Sequence, residues 1–278
     1  METDPNKTEY LCQVSDTISC GNCCGLYNVQ DSSLESLQDM LAYRSKVFME
    51  TPRNMDSILA FKDHIREKEP DQRPIRDFYH CPYIGLTGKD HNRVGCLLHP
   101  AGEGNKGVDL RGLSFYGSMT CNMYFCPSAR NLPARFAAIV KTFSESWHQY
   151  GLIITETTLL TEFFGELERR INRPISMDMF SGHPGMIVPV IDFFRLKIRW
   201  PFRPKSHAYG TNYFFNDGIY PKPKVKYPPD WDSKSRHDIF FREMVSVFFS
   251  KAELLRGEDL LEGVFSRFHA AFQVIHEE

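Results

Sequence analysis

Long apolar runs are missing from this chain. No uncharged apolar stretch approaches the roughly 18–20 residues that a membrane helix needs, so no membrane partner is expected. Residues 1–10 are polar and partly acidic, with no apolar segment behind them, and no secretory signal is read there. An excess of either charge is missing too. With 33 Lys and Arg against 35 Asp and Glu, the net charge of −2 provides no overall attraction to nucleic acid or anionic lipid. The ten histidines are scattered, and none forms a His-Glu-x-x-His pair or a recognisable triad. The glycine-dense stretch 101–107 is no P-loop, because no Gly-Lys-Ser/Thr closes it before a helix. There is no internal repeat. Beyond Cys126 there is no cysteine. These absences lead to the expectation of a cytoplasmic globular protein whose thiols stay reduced.

What is present is concentrated in the first half. Ser19-Cys20-Gly21-Asn22-Cys23-Cys24-Gly25 puts three thiols within five residues between glycines, and Cys81, Cys96, Cys121 and Cys126 follow. Eight cysteines in a reducing compartment favour metal ligation over disulfides. Zinc and iron–sulfur sites both need about four soft, deprotonated ligands, and Cys20-x2-Cys23 supplies two of them locally. Cys24, adjacent to Cys23, reaches the same metal only through a tight irregular turn; otherwise the two sulfurs diverge and could serve two sites. Cys12 reads as an isolated thiol, a small buried hydrophobe rather than a ligand. The candidate ligands are therefore Cys20, Cys23, Cys24, Cys81, Cys96, Cys121 and Cys126. Structural zinc sites usually come as two local knuckles, and this chain has one. Cys81 and Cys126 each precede a proline, as one cluster cysteine does in bacterial ferredoxins. Tyr79, Tyr83, Phe115, Tyr116, Tyr124 and Phe125 would form a low-dielectric shell. The expected cofactor is an iron–sulfur cluster, with zinc as the alternative, since Cys96-x2-His99 is an acceptable zinc half-site. His80, beside Cys81, is a further candidate ligand or outer partner. A radical-SAM site is excluded by Tyr27 at its third cysteine position, and a thioredoxin-like pair by the missing βαβ pattern.

The Cys20-Gly-x-Cys23-Cys24 element, Cys81-Pro82-Tyr83-Ile84, Cys96-Leu97-Leu98-His99-Pro100, Cys121 and Cys126 together resemble the YkgJ-type cysteine-cluster proteins, a family described as a zinc- or iron-chelating domain. The resemblance covers about residues 18–127. It implies metal chelation, and an iron–sulfur cluster as in relatives such as the flagellin lysine methylases. Two departures bear on the ligand count. Thr17 stands where the family often has a further cysteine, and a longer stretch ending in Thr120-Cys121-Asn122-Met123-Tyr124-Phe125-Cys126-Pro127 replaces the usual Arg-Pro-x-x-Cys-Arg.

Apolar spacing predicts helices over 34–49, 134–150, 156–171, 186–196, 237–254 and 258–275, and a short element over 52–60. The charged run Lys62–Asp77 reads as a solvated connection, and short strands are expected around 82–86, 94–98 and 113–116. Residues 200–230 read as a long ordered loop. The expected fold is mainly α with an irregular cysteine-rich metal-binding layer and little β. Residues 1–130 would form the cysteine-cluster region, and 131–278 a helical body sharing its core. The function expected is metal binding, with a structural or redox cluster. A cluster-dependent enzyme, an oxidoreductase or methyltransferase-like, is the alternative. A metal-stabilised nucleic-acid binder is the weaker third, resting on the cations and aromatics of Arg195–Lys205 with Tyr220, Lys222, Lys224, Lys226 and Tyr227.

Overall fold

The structure, a computed structural model, describes residues 10–69, 71–205, 214–215, 218–219 and 222–276. It is mainly helical, with two small two-stranded sheets among the described residues. Helix α1 (Leu34–Glu50) begins at Ser33, whose side chain accepts a hydrogen bond from the Ser36 amide, and it buries Leu37, Leu41 and Phe48. Helix α2 (Met55–Lys68) is capped in the same way by Asn54. It runs well past the short element expected at 52–60. The run expected as a solvated connection begins inside it, because Ile58, Phe61 and Ile65 form a sparse apolar stripe at helical spacing while the charges between them face outward.

Strands β1 (Ile84–Thr87) and β2 (Arg93–Cys96) pair antiparallel, Ile84 opposite Cys96 and Leu86 opposite Val94. The third expected strand, near 113–116, does not form. There the Asp109 and Ser114 side chains capture nearby backbone amides and carbonyls, including the Arg111 amide at 3.0 Å and the Arg111 carbonyl at 2.8 Å. Such local bonds compete with strand pairing. The chain makes a 3-10 turn at Arg111–Leu113 and enters α3 (Gly117–Met123), then α4 (Pro127–Asn131).

The helical body consists of α5 (Ala134–Phe143), α6 (Trp147–Ile154), α7 (Thr157–Ile171), α8 (Pro184–Ile198), α9 (Asp238–Glu243) and α10 (Lys251–His276). The helix expected over 134–150 is broken at Ser144-Glu145-Ser146, where Ser146 caps α6 by accepting from the Gln149 amide. The pair expected over 237–254 and 258–275 is instead a short helix and a long one. Val245, at φ 57°, turns the chain between them, and Ser246 accepts from the Trp200 indole at 2.8 Å. Within 200–230, β3 (Phe214–Phe215) pairs with β4 (Gly218–Ile219).

The main apolar core lies among α5, α7, α8 and α10, with the Phe163 and Phe193 rings stacked at 3.7 Å. Leu11, Ile18, Cys126 and Ala129 of the first half belong to it. A second cluster joins Leu26, Leu37, Ile84 and Val94 to Trp147 and Leu152 of α6, and a third lies between α1, α2 and the Cys81–Leu98 segment. The two halves therefore share buried contacts along the seam where the cysteines lie. Among the described residues no helix is long and apolar enough to cross a membrane.

Candidate metal centre

The cysteine turn is built by its glycines. Asn22–Cys24 form a 3-10 turn that ends at Gly25 in the left-handed region, φ 75°, where the Gly25 amide donates to the Asn22 carbonyl. A Cβ on Gly25 would stand 2.0 Å from the Tyr79 carbonyl oxygen, and one on Gly21 would stand 2.5 Å from the Ile84 side chain. Only glycine fits at Gly25, whereas a side chain at Gly21 would require the Ile84 and Val94 side chains to shift. The turn is fixed on all sides. Asn22 donates to Thr155 of the helical body at 2.7 Å, and the Cys81 amide donates to the Cys24 carbonyl at 2.9 Å. His80 donates from Nδ1 to the Gly25 carbonyl at 2.7 Å and accepts at Nε2 from Arg44 at 2.7 Å. The Cys20 amide donates to the Cys12 carbonyl at 2.8 Å, which brings the segment around Cys12 alongside.

The adjacent side chains of Cys23 and Cys24 diverge. Cys20 and Cys23 pack against the main core, which contains Cys126, whereas Cys24 packs against the second and third clusters and shares the third with Cys81 and Cys96. The electrostatic neighbours divide in the same way. Cys12, Cys20, Cys23 and Cys126 act on one another, and Cys24 feels chiefly Cys81, Cys96 and Cys121. Cys12, isolated in the sequence, lies near enough to Cys126 to be raised by it. Among the described residues no three His, Cys, Asp or Glu side chains stand in ligating geometry, so the thiols are neighbours and not a formed coordination shell.

Backbone amides point at four of the sulfurs. The amide of Asn22 points at Cys20, Tyr83 at Cys81, Leu98 at Cys96, and Ser128 at Cys126, in each case two residues beyond the cysteine. These bonds stabilise thiolate. Burial works in the opposite sense, pushing Cys12 and Cys81 up to about 11 and Cys96 up to about 12, and it also raises Cys20 and Cys24. Cys23 and Cys126 hydrogen-bond each other. The shared bond raises Cys23 and lowers Cys126, and the Ala129 and Ser128 amides lower Cys126 as well. Ser114 lies 3.3 Å from the Cys121 sulfur.

Both nitrogens of His80 are occupied, so it serves as an outer partner that orients the turn. Burial and the Arg44 charge lower it to about 3, which keeps the ring neutral. His99 accepts from the Ala101 amide at 3.1 Å. Tyr79 stacks on Phe115 at 4.5 Å and meets Tyr116 edge-on, and these rings border the Cys24–Cys81 group. Beside them opens a cleft of about 1270 Å³ lined by Arg44, Arg73, Tyr79, His80, Phe115 and Tyr116.

The basic, aromatic stretch is largely engaged within the fold. Trp200 and Phe202 are buried, Arg195 pairs with Glu145, and Arg203 donates to the Met244 carbonyl at 3.0 Å. Lys197, fully buried, meets Glu156 at 3.2 Å, and Lys222 bonds both Glu156 and Glu243. Arg199, Lys205, Lys224 and Lys226 are exposed. Tyr220 lies outside the described residues. Sequence reasoning missed Asn22, Asn28 and Thr155. The Asn28 side chain holds the 75–78 segment against the turn through the Ile75 and Phe78 carbonyls at 2.8 and 2.6 Å. A buried Asn flanking a cysteine turn is the signal that could have found it. No protein-family model, curated protein or solved structure matches the chain.

Proposed function

We propose that this chain is a metal-binding protein of the YkgJ-like cysteine-cluster type, whose thiolates hold an iron–sulfur cluster or, as the alternative, zinc, in a structural or redox role. The observation that carries the reading is the gathering of eight thiols from five chain segments, around residues 12, 20–24, 81, 96 and 121–126, along one seam. Crowded thiolates repel one another, and burial penalises each further. A bound cation reverses both effects, because the metal supplies the charge that the buried sulfurs lack. The donor set fits soft-metal chemistry: sulfur ligands, amides aimed at four sulfurs, and aromatic rings beside the Cys24–Cys81 group.

A second reading, an enzyme using the cluster, is favoured by the cleft beside Tyr79 and Tyr116, which would let a small molecule approach the Cys24–Cys81 group. Anaerobic purification followed by iron, zinc and sulfide analysis and an absorption spectrum tests the proposal. Iron with sulfide and broad visible absorption supports a cluster. Colourless protein with stoichiometric zinc supports the structural alternative. Full metal content in a Cys81→Ser variant would remove Cys81 from the site.

A further inference from the structure

We infer that the cleft beside Tyr79, Phe115 and Tyr116 binds a flat-ringed anion, a nucleoside phosphate in chemical class, with the ring stacked on Phe115 and the phosphate among Arg66, Lys68 and Arg76. The inference rests on the reading of this cleft as the approach for a small molecule and names that molecule's class. It does not require metal at the thiols.

The cleft has an aromatic platform that the fold leaves uncovered. The Phe115 ring stacks on Tyr79 with centroids 4.5 Å apart, and Tyr116 meets the two rings edge-on at 5.3 and 5.4 Å. Phe115 is nevertheless 69% exposed, so most of its surface away from Tyr79 meets water. A flat ring laid on that surface removes both from water. The platform is set before any ligand arrives. Ser114 donates to the Arg111 carbonyl at 2.8 Å and accepts from the Gly117 amide at 3.2 Å, and Gly117 turns the chain at φ 76°. Phe115 and Tyr116 stand between these anchors, so stacking there orders little of the protein.

The charges of the lining are of two kinds. Arg44 is bound to Glu69, and Arg73 to Asp71 at 2.6 Å and to the Phe78 carbonyl at 3.1 Å, so these cations are matched. Arg66, Lys68 and Arg76 also line the cleft and are exposed, and among the described residues none has a carboxylate within ion-pair distance. Asp31, on the same lining, accepts from the Ser33 amide at 2.9 Å. Asp77 completes a lining of five cations and four carboxylates, a small positive surplus carried by groups free to turn toward a ligand. Guanidinium groups suit phosphate oxygens, which they bind in pairs. A ring alone would leave these cations unmet, and a phosphate alone would leave the platform bare. One molecule with both parts uses the two features together. The volume, about 1270 Å³, lies above the roughly 300–1000 Å³ of most small-molecule pockets and leaves room for a nucleotide.

The test is isothermal titration calorimetry of the full-length protein with AMP, ADP, adenosine, pyrophosphate and a short single-stranded oligonucleotide, with metal content measured on the same samples. AMP and ADP are expected to bind more tightly than adenosine or pyrophosphate. Phe115→Ala is expected to weaken AMP and adenosine by at least about fivefold, the lower end of what base stacking on an aromatic side chain contributes, and to leave pyrophosphate unchanged. Arg66→Ala combined with Arg76→Ala is expected to weaken AMP and pyrophosphate by about tenfold and adenosine little. All three side chains are exposed, so these variants are expected to fold, as circular dichroism checks. Arg199→Ala removes an exposed cation outside the cleft and should change none of these affinities. No binding of AMP or ADP at millimolar concentration, with or without binding of the oligonucleotide, would overturn the inference and leave the metal-binding reading untouched. A loss in Arg199→Ala equal to that of the Arg66 and Arg76 pair would place the phosphate elsewhere and overturn it. Equal weakening of AMP and pyrophosphate by Phe115→Ala would remove the stacking role and overturn it as well. Nucleotide binding with the expected variant pattern in a protein without metal would uphold the inference and count against the metal-binding reading alone.

Discussion

Gly25 is the residue on which the cysteine turn depends. Its left-handed backbone and the Tyr79 carbonyl 2.0 Å from where a Cβ would sit leave no room for alanine. The left-handed conformation alone costs an L-residue about 1–2 kcal/mol. Gly25→Ala is therefore expected to lower unfolding free energy by at least that amount in a urea titration, and to reduce metal retention. His80 ties the same carbonyl to Arg44. Its folded value, about 3, lies below the ordinary 6.5, so the unfolded chain takes up its proton first. The stability it contributes is present above about pH 6.5 and lost as pH falls toward 3. The thermal unfolding midpoint should fall steeply as pH drops through that window in wild type. The slope should be shallower in His80→Asn, which starts lower at neutral pH. At this scale the thiols themselves were legible, because cysteine density and the Cys-x2-Cys spacing carry chemistry in the residue type. The closeness of Cys12 to residues 20 and 126 was not, because nothing local marks it.

Among the elements, α1, α7 and α8 lie close to where apolar spacing puts them, since each buries a regular stripe. The misreadings share a cause: a side chain diverts the backbone. Ser146 starts a new helix inside one apolar run, and Asp109 and Ser114 turn the chain where a strand was expected. Ser146→Ala is expected to cost about 1 kcal/mol of stability, as loss of a helix cap does, measured by chemical denaturation. The segment from Cys81 to Cys126 contains only one hairpin and short helices, so its order should depend on metal. Chelation should raise amide hydrogen exchange in β1, β2 and α3 while α7, α8 and α10 stay protected. Equal loss of protection throughout would show that the helical body depends on the metal as well.

The whole molecule is joined by groups far apart in sequence. Asn22 meets Thr155, Tyr27 donates to the His148 carbonyl at 3.1 Å, and Tyr150 donates to the Leu11 carbonyl at 2.9 Å. Deeper in the helical body, Glu156 is held by Lys197 and Lys222, both drawn from the stretch whose cations suggested nucleic acid. No local pattern distinguishes a lysine that will be buried against a distant carboxylate from one left in water. Glu156→Gln would take the anion from buried Lys197 and leave Lys222 with Glu243 alone. It is expected to cost about 3–5 kcal/mol, read as a lowered denaturation midpoint. The central claim concerns the seam between the halves, and X-ray absorption at the metal edge of the anaerobically purified chain tests it most directly. The expected result is a bound metal surrounded by sulfur at about 2.3 Å, the zinc–thiolate distance, which iron–sulfur bonds approach. A folded, helical protein without metal, or with metal bound through nitrogen and oxygen, would contradict it.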